Sequence, residues 1–270
     1  MLKDITLGQY FPVDSILHKL DPRFKIIFTM ILIIMLFAGN SMWTLVIGGI
    51  FVLMAQLLSK IPLKMSWKSI KPILPVLVFT AILNLFLIDS GEELWSWKFI
   101  KISEGGITTS IFMIIRIVLL IIGSSLLTYT TSPILLTDAI ESLMSPLKKV
   151  RFPVHEMAMM MSIALRFIPT LLEETDKIMS AQKARGAMLD SGKMMDRAKA
   201  LIPILIPLFV SAFRRAEELA TAMECRCYRG GEGRTRLRQL KSEKRDYIGL
   251  IVCLLFLTAS IAVNLLQTGG

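Results

Sequence analysis

The chain has 270 residues, 54% hydrophobic and 19% charged, with a mean hydropathy of +0.62. Adding its 16 glycines brings the apolar share to roughly 60%, against about 45–50% apolar and 25% charged in soluble domains. A soluble core could not hide that much apolar surface, so lipid must cover part of it. Disorder, a collagen triplet and a disulfide scaffold are excluded as well, the last because only Cys225, Cys227 and Cys253 are present. The net charge is +10, and its placement carries more information than its size.

Runs almost free of charge lie at about 26–38, 42–58, 73–88, 107–130 and 248–266. A span needs roughly 20 apolar residues, fewer with thinning or snorkelling. The last two runs meet this outright. The first two are short, and Gly39-Asn40-Ser41 between them reads as a tight turn at one surface. A single tilted element broken at 39–41 is the alternative and would leave an even number of spans; five is the reading adopted. Asp21-Pro22 marks the first start, an N-cap acceptor followed by proline where its missing N–H costs nothing. No cleavable signal peptide is expected, because 25 largely polar residues precede the first apolar run.

Lys and Arg counts set the expected orientation. Residues 1–25 carry Lys3, Lys19, Arg23 and Lys25, and 60–71 carry Lys60, Lys64, Lys68 and Lys71 without an acid. Turn 39–41 has none, loop 89–106 has two against Asp89, Glu92, Glu93 and Glu104, and 131–246 carries twenty. The amino terminus is therefore expected inside and the carboxyl terminus outside, with Trp95 and Trp97 in the outer aromatic belt and Trp67 in the inner one. The expected organisation is a cytoplasmic segment 1–25, four transmembrane helices over 26–130, a cytoplasmic domain over 131–246, and a fifth transmembrane helix with an external end over 247–270. Arg116 alone lies unambiguously inside a span. An intramembrane charge is a functional candidate by default; an arginine bonded to helix carbonyls or snorkelling outward is at least as good a reading.

The segment between the fourth and fifth spans is far too long for a loop and reads as three helices, about 134–149, 154–186 and 195–228. Leu135, Leu136, Ile140, Leu143 and Leu147 give the first its apolar spacing. Each of the other two would reach roughly 48 Å at 1.5 Å per residue, with kinks expected at Pro169, Pro203 and Pro207. Met157, Met159, Met160 and Met161 fill a core or form a pliable greasy surface for changing partners. Residues 201–213 are almost wholly apolar, too short and too proline-rich for a convincing span, and exposed patches of that kind mark membrane or protein contact.

The two long helices end alike. Ser180-Ala181-Gln182-Lys183-Ala184-Arg185-Gly186 aligns with Thr221-Ala222-Met223-Glu224-Cys225-Arg226-Cys227, downstream of Glu173-Glu174 and Glu217-Glu218 respectively. Small residues four before and one before each arginine leave the backbone bare, so another surface can approach and meet a rigid fork of five donors. An arginine in a last turn followed by glycine is also an ordinary helix end, but capping does not demand alanine at i−4 twice. Antiparallel helices would hold the two arginines tens of ångströms apart.

Chemistry is sparse. The nearest approach to a phosphate-binding loop, Gly186 to Gly192-Lys193-Met194, has five residues between its glycines and Met194 where a hydroxyl must reach Mg²⁺. His18 and His155 are isolated, Cys225-x-Cys227 falls far short of a zinc set, and no Asp, Glu or His stands inside a span. Enzymatic activity, a cofactor, a metal and a nucleic-acid partner are therefore not expected of this chain.

Several stretches resemble the transmembrane (T) component of energy-coupling factor transporters, the CbiQ/EcfT family. They are Gly8-Gln9-Tyr10-Phe11-Pro12-Val13-Asp14-Ser15, Leu17-His18-Lys19-Leu20-Asp21-Pro22-Arg23-Phe24-Lys25, Arg166-Phe167-Ile168-Pro169, Ala181 to Gly186, and Ala222 to Gly231. The resemblance runs from about 5 to 265. It implies an all-α membrane protein whose long cytoplasmic helices cross as coupling helices, in a plasma-membrane complex with two ABC-type ATPases, a heterodimer, and an exchangeable substrate-binding membrane subunit for a vitamin or transition-metal ion. ATP and Mg²⁺ would bind the ATPases. By the same resemblance Ala184-Arg185-Gly186 docks into an ATPase, with Ala181 beside it, and Ala222, Cys225, Arg226 and Cys227 form the second copy. Cys227 stands where the pattern has glycine, which puts the backbone freedom of that position in question. A self-sufficient secondary transporter or channel is the competing reading; it would want ionisable groups along a path and inverted repeats, and five spans do not halve. Similarity is closer to shared vitamin-transport modules than to dedicated metal ones.

Overall fold

The computed structural model describes residues 10–39, 41–88, 93–97, 100–150, 152–187, 194–230 and 240–268. Helix α1 (Pro22–Ala38) starts as its sequence dictates, with the Asp21 carboxylate accepting from Arg23 N at 2.9 Å and Pro22 in the first turn. α2 (Met42–Ser59) opens at Ser41, whose hydroxyl accepts from Trp43 N, and stops at Lys60 in the left-handed conformation, φ 56°. Of the turn between them, Asn40 lies outside the described residues.

Segment 60–71, expected as a basic loop, is instead largely helix α3 (Leu63–Ile70), joined to α4 (Leu74–Leu87) by a 59° bend. Lys60, Lys64, Lys68 and Lys71 recur three or four residues apart, the spacing of one helix face, so a short amphipathic helix satisfies both the charge and the apolar positions. The outer loop likewise holds structure that had not been expected: β1 (Glu93–Trp97) pairs antiparallel with β2 (Ile100–Ser103), Trp97 facing Ile100, with a register shift between Glu93 and Trp95. The side chains of Trp95 and Trp97 lie outside the described residues. Next come α5 (Glu104–Thr130) and α6 (Pro133–Leu143). The helix expected to 149 ends six residues early in a 3₁₀ turn over Ser145–Val150, because Pro146 cannot donate to the ladder and biases the residue before it away from the helix. α7 (Val154–Ala184) and α8 (Met194–Cys225) run unbroken through their prolines, and α9 (Lys244–Thr268) closes the chain.

α2, α5 and α9 are each long and apolar enough to cross a membrane, and the bent α3–α4 pair reaches that length together. α1, at 17 residues, spans roughly 25 Å. Two compact units result, one within Ile140–Gln239 and one formed by Gly8–Ala139 with Leu240–Gly270. In the second, α1, α2, α5 and α9 bury Leu32, Met35, Leu36, Leu45, Phe51, Val52 and Cys253 together. Glycine permits this approach: a Cβ on Gly48 would sit 2.6 Å from Leu36 Cδ2, and one on Gly123 would overlap Leu32 Cδ2.

One buried polar cluster ties the ends of this unit. Asp246, at the start of α9 and only 2% exposed, accepts from Asp21 N at 2.8 Å and from Glu243 N at 2.7 Å. Buried Lys25 donates to Thr130 O at 2.9 Å, while Phe11 N donates to Tyr129 O at 3.0 Å and Arg23 Nη2 to Leu240 O at 3.4 Å. The N-terminal segment thus grips both the C-terminal end of α5 and the stretch that begins α9.

Candidate functional site

The unit within Ile140–Gln239 is built on α7 and α8, which pack antiparallel. Glu174 meets Arg215 at 2.7 Å, and Gln182 Nε2 donates to Pro203 O at 3.3 Å. The second contact has a local cause. Pro207 has no N–H, so the carbonyl of Pro203, four residues earlier, has no donor in its own helix. Gln182, inside the first copy of the repeat, supplies one. The Ser211 hydroxyl, and then Arg215, hydrogen-bond Glu174 and hold its carboxyl below the usual range. Of the acidic pairs upstream of the repeats, Glu174 is therefore a helix–helix fastener.

The two copies of the repeat end in the same cap. At the end of α7, Gly186 N donates to Lys183 O at 3.0 Å and Ala187 N to Gln182 O at 3.0 Å, with Gly186 at φ 87°. At the end of α8, Cys227 N donates to Glu224 O at 2.8 Å and Tyr228 N to Met223 O at 3.1 Å, with Cys227 at φ 55°. Both are Schellman motifs. The residue in question from sequence, Cys227, adopts the left-handed conformation that its glycine counterpart adopts, so the loss of glycine has not changed the turn. Arg185 and Arg226 occupy the same position one residue before it. All eight residues singled out in the repeats are exposed: Ala181, Ala184, Arg185 and Gly186 in one, Ala222, Cys225, Arg226 and Cys227 in the other. With Gln182 level with Pro203, the stretch of α8 from Pro203 to Arg226 separates the two ends by roughly 35 Å.

The methionines divide. Met157, Met160 and Met161 are 40%, 58% and 46% exposed, too open for core filling, whereas Met159 is half-buried against a cavity shared with α8. Leu201, Ile202, Leu205, Ile206, Phe209 and Phe213 carry the exposed apolar surface on along α8. Faces of this breadth mark contact with membrane or protein.

Other sequence candidates have structural partners. Arg116 donates to Gly39 O at 2.6 Å and lies 4.4 Å from the centre of the Phe112 ring and 5.8 Å from that of Phe37, while Asn264 donates to Ala38 O at 3.0 Å. Arg116 and Asn264 thus each satisfy one carbonyl that the end of α1 leaves without a helical donor. Neither histidine is isolated. His155 Nδ1 stands 3.1 Å from Glu141; His18 Nδ1 stands 2.6 Å from Ser15 Oγ and its Nε2 2.9 Å from Phe11 O. Burial, the largest influence, lowers the His18 pKa. Among the described residues no three His, Cys, Asp or Glu side chains gather to hold a metal ion. What the unit offers is therefore a pair of matched cationic ends and a greasy flank.

The family model described as cobalt transport protein, CbiQ, matches residues 14–237. The chain is 56% identical over 258 residues to the energy-coupling factor transporter transmembrane protein EcfT of Ruminiclostridium cellulolyticum, covering 96% of each chain. The EcfT protein of Thermosediminibacter oceani is 48% identical over 269 residues, covering 100% of this chain and 97% of that one. That of Bacillus subtilis is 46% identical over 259 residues, covering 96% and 97%.

Proposed function

The chain belongs to the CbiQ cobalt transport protein family, and from that premise we propose that it is the non-catalytic coupling subunit of an energy-coupling factor importer, joining two ABC-type ATPases to a substrate-binding membrane subunit. The observation that carries the reading is the pair of identical, exposed arginine-bearing caps on antiparallel helices. Each cap fixes its backbone, so the arginine fork is held out at a defined angle and the small residues beside it let a partner approach closely. Two such pegs on one chain suit two similar sockets. A change in the distance between sockets, as the ATPase pair closes on ATP, would push on α7 and α8 from opposite ends. Levers of this length turn a small movement at the pegs into reorientation of their apolar flanks, where Met157, Met159, Met160 and Met161 offer an adaptable surface to the substrate subunit. ATP and Mg²⁺ belong to the ATPases, and the cargo is a vitamin or similar micronutrient bound by the substrate subunit. The Lys and Arg distribution supports a cytoplasmic amino terminus and an external carboxyl terminus in the plasma membrane.

A self-sufficient transporter finds less support, because Arg116, the charge it would most need, is engaged with Gly39. The deciding experiment is ATP-dependent uptake by the full complex carrying Arg185→Glu or Arg226→Glu. Uptake and ATPase retention should both fall while membrane insertion is unchanged, and the chain alone in liposomes should transport nothing. Unchanged uptake in both variants would sink the mechanism.

A further inference from the structure

A cavity of about 770 Å³ opens between α7 and the C-terminal end of α8. Its size falls within the ~300–1,000 Å³ typical of ligand pockets. Arg166 and Phe167 on α7 face Leu219, Met223 and Arg226 on α8, and Arg229 follows the cap. The walls are mostly apolar and carry three guanidinium groups; among the described residues lining the cavity none is acidic. All three arginines are exposed at its rim. Beyond the contacts Glu174–Arg215 and Gln182–Pro203, the described residues leave this space open.

The complement of such a surface is an apolar segment bearing carboxylates. Planar guanidinium groups bind carboxylates in two-point fashion, and the low-polarity wall strengthens each pair. The cavity also runs directly into Arg226 and its cap, so whatever holds that arginine lies against the opening. We infer that the cavity seats an acidic-apolar segment of one ATPase partner, with Arg166 and Arg229 as docking residues beside Arg226; this rests on the docking role proposed above. It gives the Arg166-Phe167-Ile168-Pro169 stretch a task that the repeats do not explain. It also makes the two ends unequal, since Met188 stands three residues after Arg185 where Arg229 stands three after Arg226.

The test uses the complete complex, purified through a tag on this chain at about 0.15 M salt. Arg166→Glu and Arg229→Glu should each lower the ATPase retained about tenfold, and raising the salt should weaken wild-type retention and narrow its gap to the variants. Arg166→Lys, which keeps the charge, should lower it less than about threefold. Wild-type retention in both Glu variants, with Arg226→Glu defective, overturns this inference and leaves the docking role standing. Wild-type retention in Arg226→Glu and Arg185→Glu sinks the docking role itself. Because a charge reversal could disturb the helix pair, a photoreactive phenylalanine analogue at Phe167 provides a second readout. Its crosslink should fall on an ATPase; a crosslink only to lipid or to the substrate subunit, or none at all, overturns the inference.

Discussion

Position 227 lets one backbone cost be measured inside the molecule. Gly186 and Cys227 close the same cap with the same hydrogen bonds, at φ 87° and 55°. A left-handed residue other than glycine costs about 1–2 kcal/mol, while glycine loses roughly 0.5–1 kcal/mol of extra chain entropy on folding. The difference favours glycine by about 0.5–1 kcal/mol. At Gly186 a Cβ would meet nothing within 4 Å, so no clash or new contact obscures the backbone effect there. Cys227→Gly should therefore tighten the last turn of α8 by this amount, and Gly186→Ala should loosen the last turn of α7 by as much. Amide exchange reads this directly, because Tyr228 N and Ala187 N donate the bonds that close the two caps. Exchange at Tyr228 should slow about two- to fivefold in Cys227→Gly and quicken at Ala187 by a similar factor in Gly186→Ala. If Cys227→Gly speeds exchange at Tyr228, the sulfur is making a stabilising contact and the backbone argument is wrong.

Two further outcomes follow from the N-terminal segment. Burial disfavours His18 charging in the folded protein, so the unfolded chain binds the proton first: stability should be level above the ordinary histidine pKa of about 6.5 and decline as pH falls below it. Melting in detergent at stepped pH should show that decline, and His18→Gln should flatten it; an unchanged slope in the variant would assign it to other groups. Asp246→Ala strands the buried N–H of Asp21 and the half-exposed N–H of Glu243, and should cost about 1–3 kcal/mol of stability. Asp246→Asn, which keeps an acceptor, should cost less, and a loss below about 0.5 kcal/mol in the alanine variant would show that water replaces the carboxylate.

What the sequence made legible is what chain-local physics controls. Charge-free runs marked α1, α2, α4, α5 and α9, Asp21-Pro22 marked the start of α1, and the repeat marked the ends of α7 and α8 to within a few residues. The elements not foreseen had local signals too: lysines at helical spacing in α3, Trp and Ile alternating in β1 and β2, and Pro146 after α6. In the first two, the totals of charge and hydropathy over each segment mask the periodicity. The partnership of Asp246 with Asp21 lies 225 residues apart in sequence, and no spacing rule reaches across that distance. The same holds for the arginine-lined cavity, whose walls come from α7 and from the end of α8, roughly 50 residues or more apart in sequence.

The prolines of α8 show where local and non-local causes meet. From sequence they announce only a missing donor and an expected kink. The chemistry goes further: a proline at 207 obliges some group to satisfy the carbonyl of Pro203, and in a helix this exposed water could do so. The group that does is Gln182, three residues before Arg185. The first cationic end is thereby indexed to a fixed level on α8, and the residues from there to Arg226 set the distance between the ends. Pro207→Ala would restore the helical donor and let the ladder compete with Gln182 for the same oxygen. In this fold a helix-breaking residue thus fixes the level at which two exposed arginines are spaced, and under the docking role proposed above that spacing is what a pair of similar sockets would have to match.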